Sequence, residues 1–304
     1  MSDSKKKGLL VAAAILGACV TAVAWSGPAS AAGGPPFAAP WIDAAHGPEP
    51  EMQVQRYDAN TYLVRQSIKT NFEGPFIILV FGSNRVLQID SGAGGLKIRP
   101  TIDKVIADWL RANGKKAIQL VVAHSHSHHD HIAGDEEFTG RADTVVVGHS
   151  PEEVAAFFNI HSWPTEIVPF DLGGGRVLDI IPSPGHEPAE ISVYDRTTHL
   201  LQMGDELYPG RLYVSGGNFE TYRDTIDRVV TFTKTHPVSW VMGNHIEMTS
   251  TPKRDYPMHT PSHPNEHPLQ LPYSCLLDLQ ASLHKMSGVQ LDIHKDFILY
   301  PTPM

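Results

Sequence analysis

Apolar residues fall along this chain in two rhythms, and the rhythms alternate. Short runs of adjacent apolar positions occupy residues 62–66, 76–81 and 86–89, with Gly82-Ser83-Asn84 between the last two. Runs of this length punctuated by turn residues predict a strand meander with a hairpin at 82–84. After Pro100 the period changes: Ile102, Val105, Ile106, Trp109 and Leu110 recur at helical spacing up to Gly114. That spacing places them on one stripe of a helix, which the glycine stops. A strand-like run, Ile118-Gln119-Leu120-Val121-Val122, follows. Ser150-Pro151-Glu152-Glu153 has the form of a capping box with proline at the first helical position, predicting a helix through Phe158. The second half repeats the scheme. Apolar runs at 177–181, 200–203 and 238–242 bracket a helix expected over about 218–235, carried by Phe219, Tyr222, Ile226, Val229 and Val230. A last amphipathic helix is expected over about 274–286, through Leu276, Leu279, Leu283 and Met286. Two halves, each with its own strands and helices, predict an α/β (α+β) domain.

The folded domain is placed at residues 53–304. Residues 33–52 are rich in Pro, Gly and Ala and carry no periodicity, so a flexible linker is expected there. Ahead of it, Lys5-Lys6-Lys7 precedes an apolar run over 8–25 and the small-residue site Ala29-Ser30-Ala31. Residues 1–32 therefore read as a secretory signal peptide, with the mature protein periplasmic or secreted and without stable membrane insertion. The apolar run is shorter than the roughly 20 residues a retained membrane anchor needs. Leu16-Gly17-Ala18-Cys19 is similar to a lipoprotein acylation box, but apolar residues continue beyond Cys19, which favours cleavage near Ala31. Cys275 is the only other cysteine, so no intramolecular disulfide is expected in the mature chain. A net charge of -9 argues against a nucleic-acid partner, which would require a basic face, and leaves a small-molecule substrate as the expectation.

The densest chemistry is His124-Ser125-His126-Ser127-His128-His129-Asp130-His131, directly after the run at 118–122. Alternate side chains of an extended backbone share a face, so His126 and His128 can converge on one ion from a strand end. Asp130 and His131 follow as the chain turns away and can address a second ion. His124 is expected as a core or supporting histidine and His129 as a solvent-facing one. Written as His-x-His-x-Asp-His, the segment resembles the signature of the metallo-β-lactamase superfamily of metallohydrolases. Partners of the right type recur in order downstream: His186 in Pro184-Gly185-His186, Asp205 in Met203-Gly204-Asp205, and His245 in Gly243-Asn244-His245. Each follows an apolar run and stands near a glycine that lets the backbone turn.

The resemblance covers about residues 62–245 and implies a four-layer αββα sandwich with the metals at the sheet edge. It implies that His126, His128 and His186 hold one metal, that Asp130, His131 and His245 hold the other, and that Asp205 bridges them. Nitrogen and oxygen donors without thiolate point to two Zn²⁺, with Fe or Mn as alternatives. Two such ions share a hydroxide nucleophile, and Asp130 is expected to orient it and shuttle its proton. Asp90, in Asp90-Ser91-Gly92, is expected to support the metal floor.

Asp205 stands where many true metallo-β-lactamases carry Cys or Ser, so the chain looks closer to dinuclear lactonases and glyoxalase II-type thioesterases. Tyr208 lies where lactonases of this superfamily place a phenol facing the substrate carbonyl, and is expected to donate to the developing oxyanion. The expectation is an exported zinc hydrolase of esters or lactones, with β-lactam hydrolysis or thioester cleavage as alternatives on the same scaffold. A non-hydrolytic redox or binding protein on this fold is the alternative of another class. It would call for a flavin domain and carboxylate-richer ligation. His259, His263 and His267 lie in a proline-broken stretch that is expected to pack beside the cleft.

Overall fold

The computed structural model describes residues 36–302, and the expected signal peptide lies outside them. The strands fall into three sheets. The first runs in chain order through β1 (Met52–Arg56), β2 (Thr61–Gln66), β3 (Phe76–Phe81), β4 (Arg85–Ile89), β5 (Gln119–Ala123) and β6 (Thr144–Val146). The second contains β7 (Val168–Asp171), β8 (Val177–Pro182), β9 (Ile191–Asp195) and β10 (Leu200–Gln202). A small third sheet takes β11 (Arg211–Ser215). The second sheet resumes with β12 (Trp240–Met242) and β13 (Gln270–Leu271), in the order β13-β12-β10-β9-β8-β7. The third is completed by β14 (Asp292–Ile293) and β15 (Ile298–Thr302), in the order β11-β15-β14.

Strand alternation assigns each side chain a layer. Leu63, Ile78, Val80, Leu87, Ile89 and Val121 of the first sheet meet Leu178, Ile180, Ile191, Val193, Leu200 and Met242 of the second in one buried cluster. The intervening residues Val64, Ile77, Leu79, Phe81, Val86, Leu120 and Val122 face the other way, against Ile102, Val105, Ile106 and Trp109 of α1 (Arg99–Ala112). This explains why Phe76–Phe81 is apolar throughout: a strand covered on both faces has no solvent side. The Trp109 ring stacks on Phe81 at 4.7 Å, and its Nε1 donates to Asn60 Oδ1 at 3.0 Å. Two four-residue helices, α2 (His129–Ile132) and α3 (Asp135–Phe138), lie between β5 and β6. The expected capping box is present at α4 (Pro151–Phe158), where Ser150 and Glu153 cap each other.

On the far side of the second sheet, Ile181, Tyr194, Leu201, Val241 and Leu271 pack against α5 (Phe219–Thr233) and α6 (Ser274–Leu283). The layers are therefore helix, sheet, sheet, helix, as the resemblance implied. Among the described residues no helix is long and apolar enough to cross a membrane.

The stretch expected as a flexible linker is, from residue 36 on, tied to the domain. Phe37 is buried, Trp41 meets the Phe76 ring edge-on at 4.8 Å, and Gln53 Oε1 and Gln55 Oε1 accept from the backbone N–H groups of Ile42 and Ala39. Two aromatics in a Pro- and Gly-rich background suffice to anchor a coil that has no periodicity of its own.

Candidate metal centre

His126 leaves the end of β5, and His128 caps the start of α2 on extended backbone, so their rings share one face, as the alternation requires. His126 Nε2 lies 2.9 Å from His128 Nδ1, and His186 Nε2 lies 3.0 Å from the same atom. Asp130 and His131 enter from α2. Asp130 Oδ2 is 3.0 Å from His131 Nε2 and 3.2 Å from His245 Nε2. Asp205 stands between these two groups: its Oδ2 is 4.0 Å from His126 Nε2, 3.8 Å from His186 Nε2 and 3.8 Å from His131 Nε2, while Oδ1 is 3.5 Å from His245 Nε2. All seven residues singled out in the sequence are thus brought together.

The outer ring nitrogens fix which atoms point inward. His186 Nδ1 donates to Tyr213 O at 2.8 Å, His245 Nδ1 to Glu73 O at 3.1 Å, and His131 Nδ1 to Asp90 Oδ2 at 2.8 Å. With the proton held at Nδ1, the lone pair of each Nε2 is aimed at the centre. Asp90 itself sits at φ 70°, accepts from the Ser125 backbone N–H at 2.7 Å, and receives Asn244 Nδ2 on its other oxygen. Gly134 lets this floor close up, because a Cβ there would lie 2.2 Å from Ser91 O.

The donor set fits divalent cations. Converging lone pairs on His126, His128 and His186 cannot all be satisfied by one another, and Asp205 Oδ1 is buried with no hydrogen-bond partner. A cation in each group would satisfy both. The set comprises five imidazoles and two carboxylates, without thiolate.

Electrostatics divide the centre. Burial, then the charge of His131, hold the His126 imidazole well below its ordinary value, and burial with the charge of His186 lowers that of His128. Burial also opposes charge on His131 and His245. Asp90, Asp130 and Asp205 outweigh it at His131, raising it well above the usual value, and Asp205 and Asp130 raise His245 to about 9. The same contacts overcome burial to hold the Asp130 and Asp205 carboxyls below the usual range. Glu73 goes the other way: burial, then the Asp130 carboxylate, push it up to about 7.

A cleft of about 260 Å³ opens over the centre. Phe72 and Glu73 of the β2–β3 loop form one wall, and Tyr256 to His259 with His263 form another. The proline-broken stretch therefore does line the cleft, through His259 and His263. His267 instead bonds to Asp296 at 3.0 Å. Glu73 was not singled out in the sequence. It sits in a short polar loop whose composition resembles any other turn.

Tyr208 is placed differently from its expected role. Its ring borders the cleft 5.6 Å from the His245 ring, but the hydroxyl donates to Arg211 O at 2.5 Å and lies 3.2 Å from Glu247 Oε2. A phenol has one proton, and here it is committed to the first residue of β11 rather than to an oxyanion. Tyr208→Phe should leave kcat within about twofold of wild type while lowering stability by about 1 kcal/mol, the net worth of a buried hydrogen bond. Paired steady-state kinetics and denaturant melts check this; a large fall in kcat with unchanged stability would restore the oxyanion role.

His124 and His129 behave as expected, the first buried and the second exposed. His124 Nε2 and His149 Nε2 meet the two oxygens of Asp135 at 2.8 and 2.7 Å, so ordinary hydrogen bonds account for that trio.

The family model described as "Metallo-beta-lactamase superfamily" matches residues 70–263. Among solved structures, a metallo-β-lactamase from Pontibacter korlensis is 19% identical, covers 77% of this chain and 100% of its own, and superposes with a TM-score of 0.50. The FIM-1 metallo-β-lactamase from Pseudomonas aeruginosa is 13% identical, with 78% and 96% of the two chains covered and a TM-score of 0.49. One from Hirschia baltica is 12% identical, with 64% and 91% covered and a TM-score of 0.45. No curated protein sequence matches the chain.

Proposed function

This chain belongs to the metallo-β-lactamase superfamily, whose members are generally metal-dependent hydrolases, and on that premise we propose that it is an exported dinuclear zinc hydrolase of esters or lactones. The observation that carries the proposal is the Asp205 carboxylate, set between two histidine groups with a buried oxygen that no donor among the described residues satisfies. In this reading His126, His128 and His186 hold one ion, Asp130, His131 and His245 hold the other, and Asp205 joins them.

Two Zn²⁺, when bound, lower the pKa of water towards neutrality and polarise a carbonyl. The protein's part is to hold the donors rigid. Asp90 and the carbonyls of Tyr213 and Glu73 lock the ring tautomers described above. Asp130 presents Oδ2 to His131 and His245, which leaves Oδ1 to take the proton of the attacking water and pass it to the leaving oxygen. The cleft wall of Phe72, Tyr256 and Pro257 would orient the acyl group.

An ester or lactone is favoured because the joining residue is a carboxylate and because the cleft is small enough for a compact substrate. The leader-like features of residues 1–32 support export to the periplasm or medium, with a small-molecule substrate as the proposed partner. The test combines metal analysis of the purified protein with turnover of a lactone, an aryl ester, a thioester and a β-lactam. Roughly two zinc ions per chain and fastest cleavage of the lactone or aryl ester are expected. Trace metal, or turnover of the β-lactam alone, would overturn the reading.

A further inference from the structure

A cleft selective for acids commonly offers the carboxylate a free guanidinium or ammonium as counterion. Arg211 is the one Lys or Arg among the described residues that line this cleft. Its guanidinium is already in use. Nε donates to Tyr213 Oη, one terminal nitrogen donates to both Asp255 Oδ2 and Tyr256 O, and the other donates to Glu247 Oε1, each at 2.7 Å. Two carboxylates face this single positive charge, so the group is neutralised from within, and with its side chain only 9% exposed it has little surface left to offer.

The opposite wall provides no lysine or arginine to replace it. Glu73 faces Asp130 there, and whether ionised or protonated it contributes no positive charge. Around it the mouth is apolar. Phe72 and Met258 are 38% and 55% exposed, on the two loops that border the opening. The Phe72 ring leans on the His259 imidazole at 4.1 Å, which brings those loops together. Large apolar side chains exposed at a cleft mouth are suited to an apolar part of the ligand.

We propose that this cleft selects uncharged substrates bearing an apolar arm, held between Phe72 and Met258, and discriminates against substrates that carry a free carboxylate beside the scissile bond. The inference rests on the hydrolase reading above for the bond that is cleaved, but the selection itself belongs to the wall. An acid entering the cleft loses its hydration and gains no counterion beyond the metal centre, so discrimination arises from an unpaired charge. Acids of that description include the penicillin-type β-lactams, which disfavours them as substrates for this chain.

Binding tests the selection without turnover. Three thiols that share one metal-seeking group and differ only in a remote substituent would be titrated calorimetrically into the zinc-loaded protein: phenylmethanethiol, its 4-carboxylate and its 4-aminomethyl derivative. The neutral thiol should bind about tenfold more tightly than the carboxylate, with the amine close to the neutral one. Glu73→Lys, or Phe72→Lys at the exposed rim if the first variant fails to fold, should bring the carboxylate level with or ahead of the neutral thiol. Equal or tighter binding of the carboxylate by the wild type would overturn the proposal, as would a preference unmoved by a correctly folded lysine variant. The two readings fail separately. Charge discrimination without cleavage of any ester or lactone sinks the hydrolase reading and leaves the selection standing, whereas ester cleavage with indifferent thiol binding does the reverse. Failure of all three thiols to bind overturns both.

Discussion

Asp205→Ala should lower kcat/KM on the preferred ester or lactone by about a thousandfold or more, since a centre of this kind supplies several kcal/mol of transition-state stabilisation. The metal content should fall with it. Among the described residues Asp205 is the one carboxylate within 4.0 Å of donor atoms from both groups, so its loss separates them. The fold should survive, because the hydrogen bond at this position is made by the main chain: the Asp205 N–H donates to Glu190 Oε1 at 2.9 Å. Asp205→Asn separates charge from shape. The amide keeps the volume and one oxygen but not the negative charge, so it should retain packing and lose most of the second ion. Metal analysis beside kcat/KM checks both variants. Two ions per chain and near wild-type rates in Asp205→Ala would show that the histidines suffice and that the carboxylate has another purpose.

The candidate ligands were legible because each follows a strand whose apolar run is plain in the sequence, directly or through the short α2, with a glycine near three of them. The helices were legible for a similar reason. α1 and α5 each present a continuous apolar stripe to one sheet, and α4 has both halves of its cap within four residues. What stayed hidden depends on partners far away in the chain. Tyr208 has the composition of an oxyanion donor. Its role is decided by the Arg211 carbonyl and by Glu247, which only the fold brings to it. Glu73 became part of the centre through its backbone oxygen, and a carbonyl carries no sequence signal at all. The third sheet was not foreseen either, since β14 is two residues long and β11 pairs with β15 across most of the second half. The coil from residue 36 read as a free linker because two aromatics carry its attachment, and aromatics without period predict nothing about where they dock.

The largest loss of stability is expected at Glu266, which lies in the proline-broken stretch. Arg65 on β2 is essentially buried, with a side chain 1% exposed, and its two terminal nitrogens meet Glu266 Oε2 and Oε1 at 2.5 and 2.6 Å. The guanidinium also lies over the Phe76 ring at 5.2 Å. Glu266→Ala leaves that cation in the interior without a counterion, which costs about 3–5 kcal/mol. In a domain of this size the melting temperature should then fall by on the order of 10 °C. The cleft should suffer too. Glu266 Oε1 receives His263 Nδ1 at 3.1 Å, and His263 is part of the cleft wall. KM should therefore rise more than kcat falls, because the candidate metal ligands stand on other elements. The double change Arg65→Met with Glu266→Met separates two accounts of the pair. If the penalty comes from the abandoned charge, removing both charges restores much of the lost stability, since an apolar pair of similar volume does not require desolvating an ion. If the penalty comes from lost attachment of the loop, the double variant remains as unstable as Glu266→Ala. Thermal and denaturant unfolding of the single and double variants distinguishes these outcomes. The burial of Arg65 against Phe76 predicts the first.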